Sequence, residues 1–476
     1  MSARPAESTA LDPRTRMLLE APIVPTLLKL GAPNVLVMLA QAGVGLIETY
    51  FVGKLGTDAL AGMALVFPVV MFMQMTSSGA MGGGIASSIA RALGARRRAD
   101  ADALVWHALL IAVVFGVLFM GAVLLGGRWL YTSVGGAGGA LEAALTYSNW
   151  VFAGAIIVWI FNSLSAILRG TGNMAVPAYV TVGGMVVLIP LSPLLIFGWG
   201  PLPGMGIAGG AAALLSYYLV GSIILAVYLS SSKSLLRPSL KEVRFRWPLF
   251  RDILRIGLIG TVSTVATNLA IIITTALVGG FGTAAIAGYG TASRLEYLLV
   301  PLVFGLGAPL VAMVGTCIGA GQRERALQAT WMGAALAFGM AETIGLAAAA
   351  FPHAWLTLFN SDPAMLDAGS RYLRTVGPVY GFFGVGLVLY FASQGAGRLM
   401  WPVVGNIFRL AVAAGGGWLA LRWGGSLTHV FIAQGVALVV YGLVNVGSIA
   451  GGAWFGPVGW PRRTSAMLAR VRGTAA

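Results

Sequence analysis

Long apolar stretches separated by short polar turns make up most of this chain. Twelve of them approach or exceed the roughly 20 residues that a helix needs to cross the hydrocarbon core of a bilayer. They lie at 24–50, 59–85, 103–125, 147–168, 176–197, 207–229, 253–278, 284–314, 330–351, 372–393, 400–421 and 430–454. They lack the two-residue alternation that is typical of a membrane strand. The pattern predicts an all-α integral membrane protein with twelve transmembrane helices.

The second half of the chain repeats the first at a nearly constant shift. VGKLGTDALAG at 52–62 returns as VGGFGTAAIAG at 278–288, and RGTGNMAVP at 169–177 returns as QGAGRLMWP at 394–402, with shifts of 226 and 225 residues. An even number of helices in each copy makes the two copies parallel. We therefore expect two parallel six-helix repeats, related by a pseudo-two-fold axis along the membrane normal, with a cleft between them.

This repeat divides the chain into five regions. We expect an N-terminal tail at 1–23, an N-lobe of six helices at 24–229, a linker at 230–251, a C-lobe of six helices at 252–454 and a C-terminal tail at 455–476. The linker is polar and basic, with the sequence KSLLRPSLKEVRFRW. Both tails and the linker are predicted to lie on the cytoplasmic side.

Composition and charge support this membrane assignment. Only 9% of the 476 residues are charged and 58% are hydrophobic, whereas a soluble domain carries about 25% charged residues. Of the 30 lysines and arginines, 23 fall on the side that holds both termini and five on the other side. Such a bias marks the cytoplasmic side. The net charge of +15 is therefore explained by topology, and no nucleic-acid partner is expected.

The chain offers no constellation for catalysis or metal binding. Its three histidines lie in different segments, and it has one cysteine, Cys317, in an apolar stretch. A metal site or a nucleophilic site needs such groups clustered. We expect no catalytic residues, no metal and no cofactor.

Ionisable residues inside predicted spans are few: Glu48, Arg294, Glu296, Glu342 and Arg409. Because each costs about 2.5 kcal/mol or more at the bilayer centre, such a residue is retained mainly when it functions or is paired. Glu48 closes the first span and matches Thr274 in the second copy. It either reaches the outer interface or faces the cleft as a carboxyl group that binds a proton or cation.

The four remaining charges lie in the C-lobe. Arg294 and Glu296 are two residues apart, so they do not face each other on a helix and need separate partners. Arg409 and Glu342 either form a structural pair or take part in transport, and the sequence leaves both readings open. Further candidates for the cavity are polar or aromatic residues within or at the ends of spans: Gln41, Tyr50, Asn268 and Gln394.

Several of these segments together resemble the multidrug and toxic compound extrusion (MATE) transporters of the MOP flippase superfamily. The similar segments include PNVLVMLAQAGVGLIETYFVGKLGTDALAG and LYFASQGAGRLMWPVV, and the resemblance extends over about 26–451. It implies two six-helix lobes around a cleft that opens alternately to either side. It also implies export of a small organic compound, often a cation, driven by inward H⁺ or Na⁺.

The resemblance assigns the acidic coupling residue of the first helix to Glu48. Many members also carry an asparagine and an aspartate in a pattern like NxxLDPLLIFG, where this chain has LIPLSPLLIFG, with Leu188 and Ser192 in those places. The incomplete site favours H⁺ over Na⁺ as the coupling ion, or a second-lobe site that uses Glu296 or Glu342.

The expected protein is thus a monomeric antiporter of a bacterial inner membrane whose partners are the lipid bilayer and a small organic substrate. One alternative is a lipid-linked oligosaccharide flippase of the same superfamily, for which Arg294 and Arg409 could bind phosphates. The other is an integral-membrane enzyme, which would need a clustered catalytic constellation.

Overall fold

The computed structural model describes residues 12–199, 202–238, 245–359 and 361–455, without the side chains of 40–47 and 297–298. Within these residues, ten helices are long and apolar enough to cross a membrane, or eleven when one bent pair counts as a span. The remaining predicted span is the 31-residue helix α2, Ile23–Gly53. The all-helical, twelve-span fold class predicted from hydropathy is confirmed.

The helices follow each other in the order that the apolar stretches predict. The N-lobe comprises α1 Pro13–Glu20, α2 Ile23–Gly53, α3 Thr57–Gln74, α4 Gly82–Gly94, α5 Arg98–Ser133, α6 Gly138–Ala153, α7 Ala155–Gly170, α8 Ala175–Phe197 and α9 Ile207–Ser230. The C-lobe comprises α10 Trp247–Gly279, α11 Thr283–Gly319, α12 Arg323–Ala350, α13 Pro352–Leu356, α14 Pro363–Val376, α15 Tyr380–Ala396, α16 Met400–Arg422 and α17 Leu427–Ala450. A two-stranded ribbon, β1 Gly198–Trp199 and β2 Leu202–Pro203, precedes α9.

Helices occupy part of the segments predicted as N-terminal tail and linker. Helix α10 begins at Trp247, inside the segment assigned to the linker, and α1 lies within the segment assigned to the N-terminal tail. Helix α1 packs Leu18 and Leu19 into a hydrophobic cluster of the C-lobe. The N-terminal segment is therefore anchored on the opposite lobe.

The second predicted span contains a wide turn. Helices α3 and α4 are joined by seven residues of π-helix, Met75–Met81, which we call the π segment. The hydroxyls of Ser77 and Ser78 donate to the carbonyl of Gln74 at 3.3 and 2.9 Å. Serine hydroxyls that bond to carbonyls of the preceding turn compete with regular helix bonds, and π-helical turns recur at functional sites.

The fourth and tenth predicted spans are each broken at corresponding positions of the repeat. Helices α6 and α7 meet at Gly154 with a bend of 50°. Helices α14 and α15 are separated by the 3₁₀ turn Gly377–Val379, which lies 225 residues after this bend. Pro378 contributes to the break because it lacks a backbone N–H.

The two lobes cross on the pseudo-two-fold axis at a pair of glycines. A Cβ atom on Gly94 would lie 2.0 Å from the carbonyl oxygen of Thr316, and one on Gly319 would lie 2.1 Å from the carbonyl oxygen of Arg91. A shift of 225 residues relates Gly94 to Gly319 and also relates Arg91 to Thr316. The same two positions of each copy therefore contact each other across the interface, as a two-fold relation requires.

This crossing gives a test of the interface between the lobes. Gly94→Val is expected to lower the midpoint of thermal unfolding in detergent, because overpacking of a tight contact costs about 1–3 kcal/mol. Gly121→Val is the matched control, since a Cβ at Gly121 has no atom within 4 Å. Equal midpoints for the two variants would show that the glycine crossing is not required.

Candidate functional site

Glu48 lies in the last turns of α2 and points into the N-lobe. The phenol of Tyr147 on α6 lies close enough to its carboxylate to interact with it. Gly210 of α9 packs beside it, so that a Cβ there would lie 3.5 Å from Oε1 of Glu48. The side chain is half-buried. Contacts with two neighbouring helices favour the interpretation that Glu48 faces the protein interior rather than the outer interface.

A polar network leads from this carboxylate to the π segment. Tyr218 on α9 lies within electrostatic range of both Glu48 and Tyr147, and its hydroxyl accepts a hydrogen bond from the side-chain amide of Gln74. The amide of Asn162 on α7 donates to Oε1 of Gln74 at 2.9 Å and to the hydroxyl of Ser77 at 2.8 Å. We call these six side chains, from Glu48 to Ser77, the N-lobe network.

Sequence reasoning missed most of this network. Asn162 and Gln74 carry a signal that could have found them, because each is a polar residue inside an apolar stretch. Tyr147 and Tyr218 carry no such signal, since tyrosine is common in membrane helices. Only the three-dimensional arrangement reveals that their hydroxyls turn inward.

Three other N-lobe candidates lie apart from the network. The ring of Tyr50 is 60% exposed and stacks under the ammonium group of Lys54 at 4.6 Å. Ser192 on α8 is buried, and its hydroxyl has no hydrogen-bond partner among the described residues. The side chain of Gln41 lies outside the described residues.

A second cluster surrounds Glu296 in the C-lobe. The hydroxyl of Tyr372 donates to its Oε1, and Tyr380 also faces the carboxylate. The positive charge of Arg409 on α16 interacts with the carboxylate of Glu296. Arg409 is 4% exposed and lies over the ring of Phe383, 5.3 Å from its centroid. Aromatic faces and a nearby carboxylate together compensate this buried cation.

The C-lobe charges do not form the pair of Arg409 with Glu342 among the described residues. Glu342 accepts a hydrogen bond from the backbone N–H of Gly381 at 2.8 Å, so it caps the start of α15 after the 3₁₀ turn. No ion pair between Arg409 and Glu342 forms among the described residues. Arg294 is exposed, with its guanidinium 5.5 Å from the ring centroid of Phe359. The charges of Arg409 and Glu296 interact, but no salt bridge joins the two side chains among the described residues. A role of Arg409 and Glu342 in transport stays a prediction.

Gln394 connects the lobes, whereas Asn268 does not. The amide of Asn268 donates to the carbonyl of Thr264 in its own helix at 2.9 Å. Gln394 on α15 is fully buried, and its amide donates to the carbonyls of Gly79 and Ala80 at 3.2 and 3.3 Å. Both carbonyls belong to the π segment, so the N-lobe network and the C-lobe meet at this turn.

A third contact between the lobes lies near the end of α4. The guanidinium of Arg91 donates to both carboxylate oxygens of Asp252 on α10 at 2.9 and 2.8 Å, and to the carbonyl of Gly395 at 3.1 Å. We call these three residues the Arg91 latch. The second copy has Thr316 at the matching position, so the latch occurs on one side of the axis. Sequence reasoning had counted Arg91 only among the basic residues of a short turn.

Comparison with known proteins agrees with this architecture. The MatE family profile matches residues 33–194 and 261–419. The FAD transporter of Shewanella oneidensis is 26% identical over 405 residues, covering 83% of this chain and 87% of its own. The probable multidrug resistance protein NorM of Thermotoga maritima is 26% identical over 382 residues, covering 79% and 81%.

Solved structures give the same result. A crystal structure of MATE in the bent conformation superposes with a TM-score of 0.84 at 25% identity, covering 96% of this chain and all of that chain. The twelve helices in two repeats predicted from the sequence match this fold. Because the profile covers more than half of the chain, the protein belongs to the MATE family of multidrug efflux transporters, which are multi-pass membrane proteins.

Proposed function

We propose that this protein is a secondary antiporter of a bacterial inner membrane, with both termini in the cytoplasm. It exports a small organic compound, with a cation as the first candidate, against the entry of protons. The single observation that carries this proposal is the carboxylate of Glu48, which lies between Tyr147 and Gly210 inside the N-lobe. A carboxyl group so placed binds one proton when the cleft is open outward and loses it when the cleft is open inward.

Proton coupling is favoured over sodium coupling by the groups around Glu48. Hard cations take several oxygen ligands in proteins, usually including more than one strong donor. The described N-lobe network supplies one carboxylate together with hydroxyls and amides. At the position of a family aspartate the chain has the buried hydroxyl of Ser192. One carboxylate with few strong ligands suits a proton better than Na⁺.

Alternating access needs contacts that hold one end of the cleft closed. The Arg91 latch, the bonds of Gln394 to the π segment and the glycine crossing all join the lobes through α4 or the adjoining π segment. With the termini in the cytoplasm, this is the inner end. We therefore assign this structure to the outward-open conformation of the transport cycle. Protonation drives the cycle only if it favours one conformation over the other. The N-lobe network reaches the π segment, where Gln394 of the C-lobe contacts the N-lobe.

The test is transport by the purified protein in liposomes, with H⁺ and Na⁺ gradients imposed separately. A panel of cationic dyes serves as substrates. An inwardly directed proton gradient is expected to drive export, and a sodium gradient at equal pH is expected to have no effect. Equal export with Na⁺ alone would refute proton coupling. The protein is expected to act as a monomer without a cofactor. The mass of the purified particle, measured in the same preparation, checks both expectations.

Export of an anionic flavin nucleotide is the second candidate, because one relative is named a FAD transporter. The buried Arg409 beside aromatic rings offers a cation for a phosphate, although Glu296 lies close to it. FAD included in the liposome assay separates the two: transport of FAD without transport of cationic dyes would favour the second candidate.

A further inference from the structure

A cavity of about 190 Å³ lies outside the two clusters described above, at the end of the bundle that holds the Arg91 latch. Its walls come from three places: the first turns of α10, the turn between α15 and α16, and Ala453 just after α17. All three follow an even number of crossings from the N-terminus, so they share one side of the membrane. The positive-inside bias predicts that this side is cytoplasmic.

Two arginines without partners border this cavity. Arg255 on α10 and Arg398 in the turn before α16 both line it, and both side chains are exposed. Neither forms an ion pair, a side-chain hydrogen bond or a ring contact among the described residues. The nearest carboxylate along α10 is Asp252, which is bonded to Arg91. No described residue therefore neutralises these two positive charges.

The start of α16 adds a third positive element. Met400 and Trp401 form the first turn of this 23-residue helix and line the cavity, and no side chain caps this end. Uncapped N–H groups and the helix dipole favour an anion at such a position. Two arginines and a helix start around one cavity together match the chemistry of a phosphate ester.

The remaining walls distinguish a lipid from a free phosphate. Ile256 and Ile259 form an apolar side of the cavity, and Met400 and Trp401 are 58% and 50% exposed. Tryptophan concentrates where a membrane helix passes the headgroup region. We propose that this cavity binds the headgroup phosphate of an anionic phospholipid from the cytoplasmic leaflet, with the acyl chains along the apolar wall and the outer face of Trp401.

The site adjoins the contact between the lobes. Gly397 lines the cavity, and a Cβ on it would lie 3.1 Å from Nη1 of Arg91. A bound headgroup therefore holds α10 and the turn after α15 against each other, and Arg91 bonds to both helices at this point. This consequence for transport rests on the proposed function, whereas lipid binding itself does not.

The test measures lipid binding by native mass spectrometry and by the thermal midpoint, using the full chain titrated with phosphatidylglycerol, phosphatidylcholine or inorganic phosphate. Phosphatidylglycerol is expected to bind more tightly than phosphatidylcholine. The double variant Arg255→Gln with Arg398→Gln is expected to bind phosphatidylglycerol at least about tenfold more weakly, since each arginine attracts the anionic headgroup.

The matched control is Arg96→Gln with Arg251→Gln, which removes the same charge from exposed positions that do not line the cavity. Both double variants should elute as the parent does without lipid, and the control should keep parental affinity. Equal losses in the two double variants would show a diffuse basic face instead of a site. Inorganic phosphate that stabilises the protein as much as phosphatidylglycerol would overturn the assignment to a lipid. Neither readout depends on transport.

Discussion

Glu48→Gln is expected to abolish dye accumulation driven by a proton gradient while the protein remains folded. The amide has the same shape as the protonated carboxyl group and still lies beside Tyr147, but it cannot release a proton. A side chain whose protonation does not change cannot favour one of the two conformations over the other. The proton gradient therefore no longer shifts the conformational equilibrium. Uptake of a cationic dye into inverted vesicles at several pH values measures this loss.

The matched control for this variant is Glu142→Gln. Glu142 lies on α6, as Tyr147 does, but its carboxylate is exposed and forms a surface ion pair with Arg128 at 2.9 Å. Surface pairs contribute about 0–1 kcal/mol, so transport should stay at the parental rate. Parental transport with an unchanged pH response in Glu48→Gln would remove Glu48 from the coupling mechanism. Tyr147→Phe should retain transport with an altered pH response, because it keeps the carboxylate and removes the neighbouring hydroxyl that interacts with it.

Arg91→Ala is expected to shift the protein from the outward-open towards the inward-open conformation. The variant loses a bidentate bond to Asp252 and a charged bond to Gly395. Asp252 is 45% exposed, so solvent weakens the pair. We expect a loss of about 2 kcal/mol, or a roughly thirtyfold change in the ratio of the two conformations. Spin labels at Arg96 and Gln322, in a background where Cys317 is replaced by serine, report the separation of the lobes.

The distance distribution in Arg91→Ala should gain a longer component that is weak in the parent. Asp252→Asn should give a smaller gain, since the bond to Gly395 remains. Arg16→Ala is the control, because it removes an arginine whose ion pair with Glu20 lies within α1 on the surface. An unchanged distribution in Arg91→Ala, or an equal change in the control, would show that the latch does not hold the lobes together.

Hydropathy and the repeat predict most of the fold because the bilayer itself sets the required span length and the side on which basic loops lie. Span length and loop charge need no knowledge of neighbours, so twelve helices and their order follow from the sequence. Glu48 could be found in the same way, as one carboxylate in an apolar stretch. The π segment and the break after α14 carry local signals as well, in the Ser-Ser-Gly run and in Gly377–Pro378.

The partners of the charged residues could not be predicted for a physical reason. Lipid-facing and protein-facing sides of a membrane helix are both apolar, so the sequence pattern does not fix the rotation of each helix about its axis. That rotation decides that Arg409 faces Glu296 while Glu342 caps α15. It also decides that Tyr147 and Tyr218 turn towards Glu48. Arg91 was overlooked because a basic residue at the end of a span is ordinarily explained by topology alone.

The glycine crossing has the form of an isologous dimer interface, in which one position meets a second on the partner and the reverse contact occurs as well. In a symmetric dimer of two identical chains, every contact at that interface would occur twice. Here a covalent connection joins the two copies, so a residue can change in one of them alone. The side chain of Arg91 bonds to Asp252 on one side of the axis, whereas the hydroxyl of its counterpart Thr316 bonds to the carbonyl of Ala312 in its own helix. The covalent connection thus allows a symmetric backbone contact to be accompanied by an ion pair on one side alone.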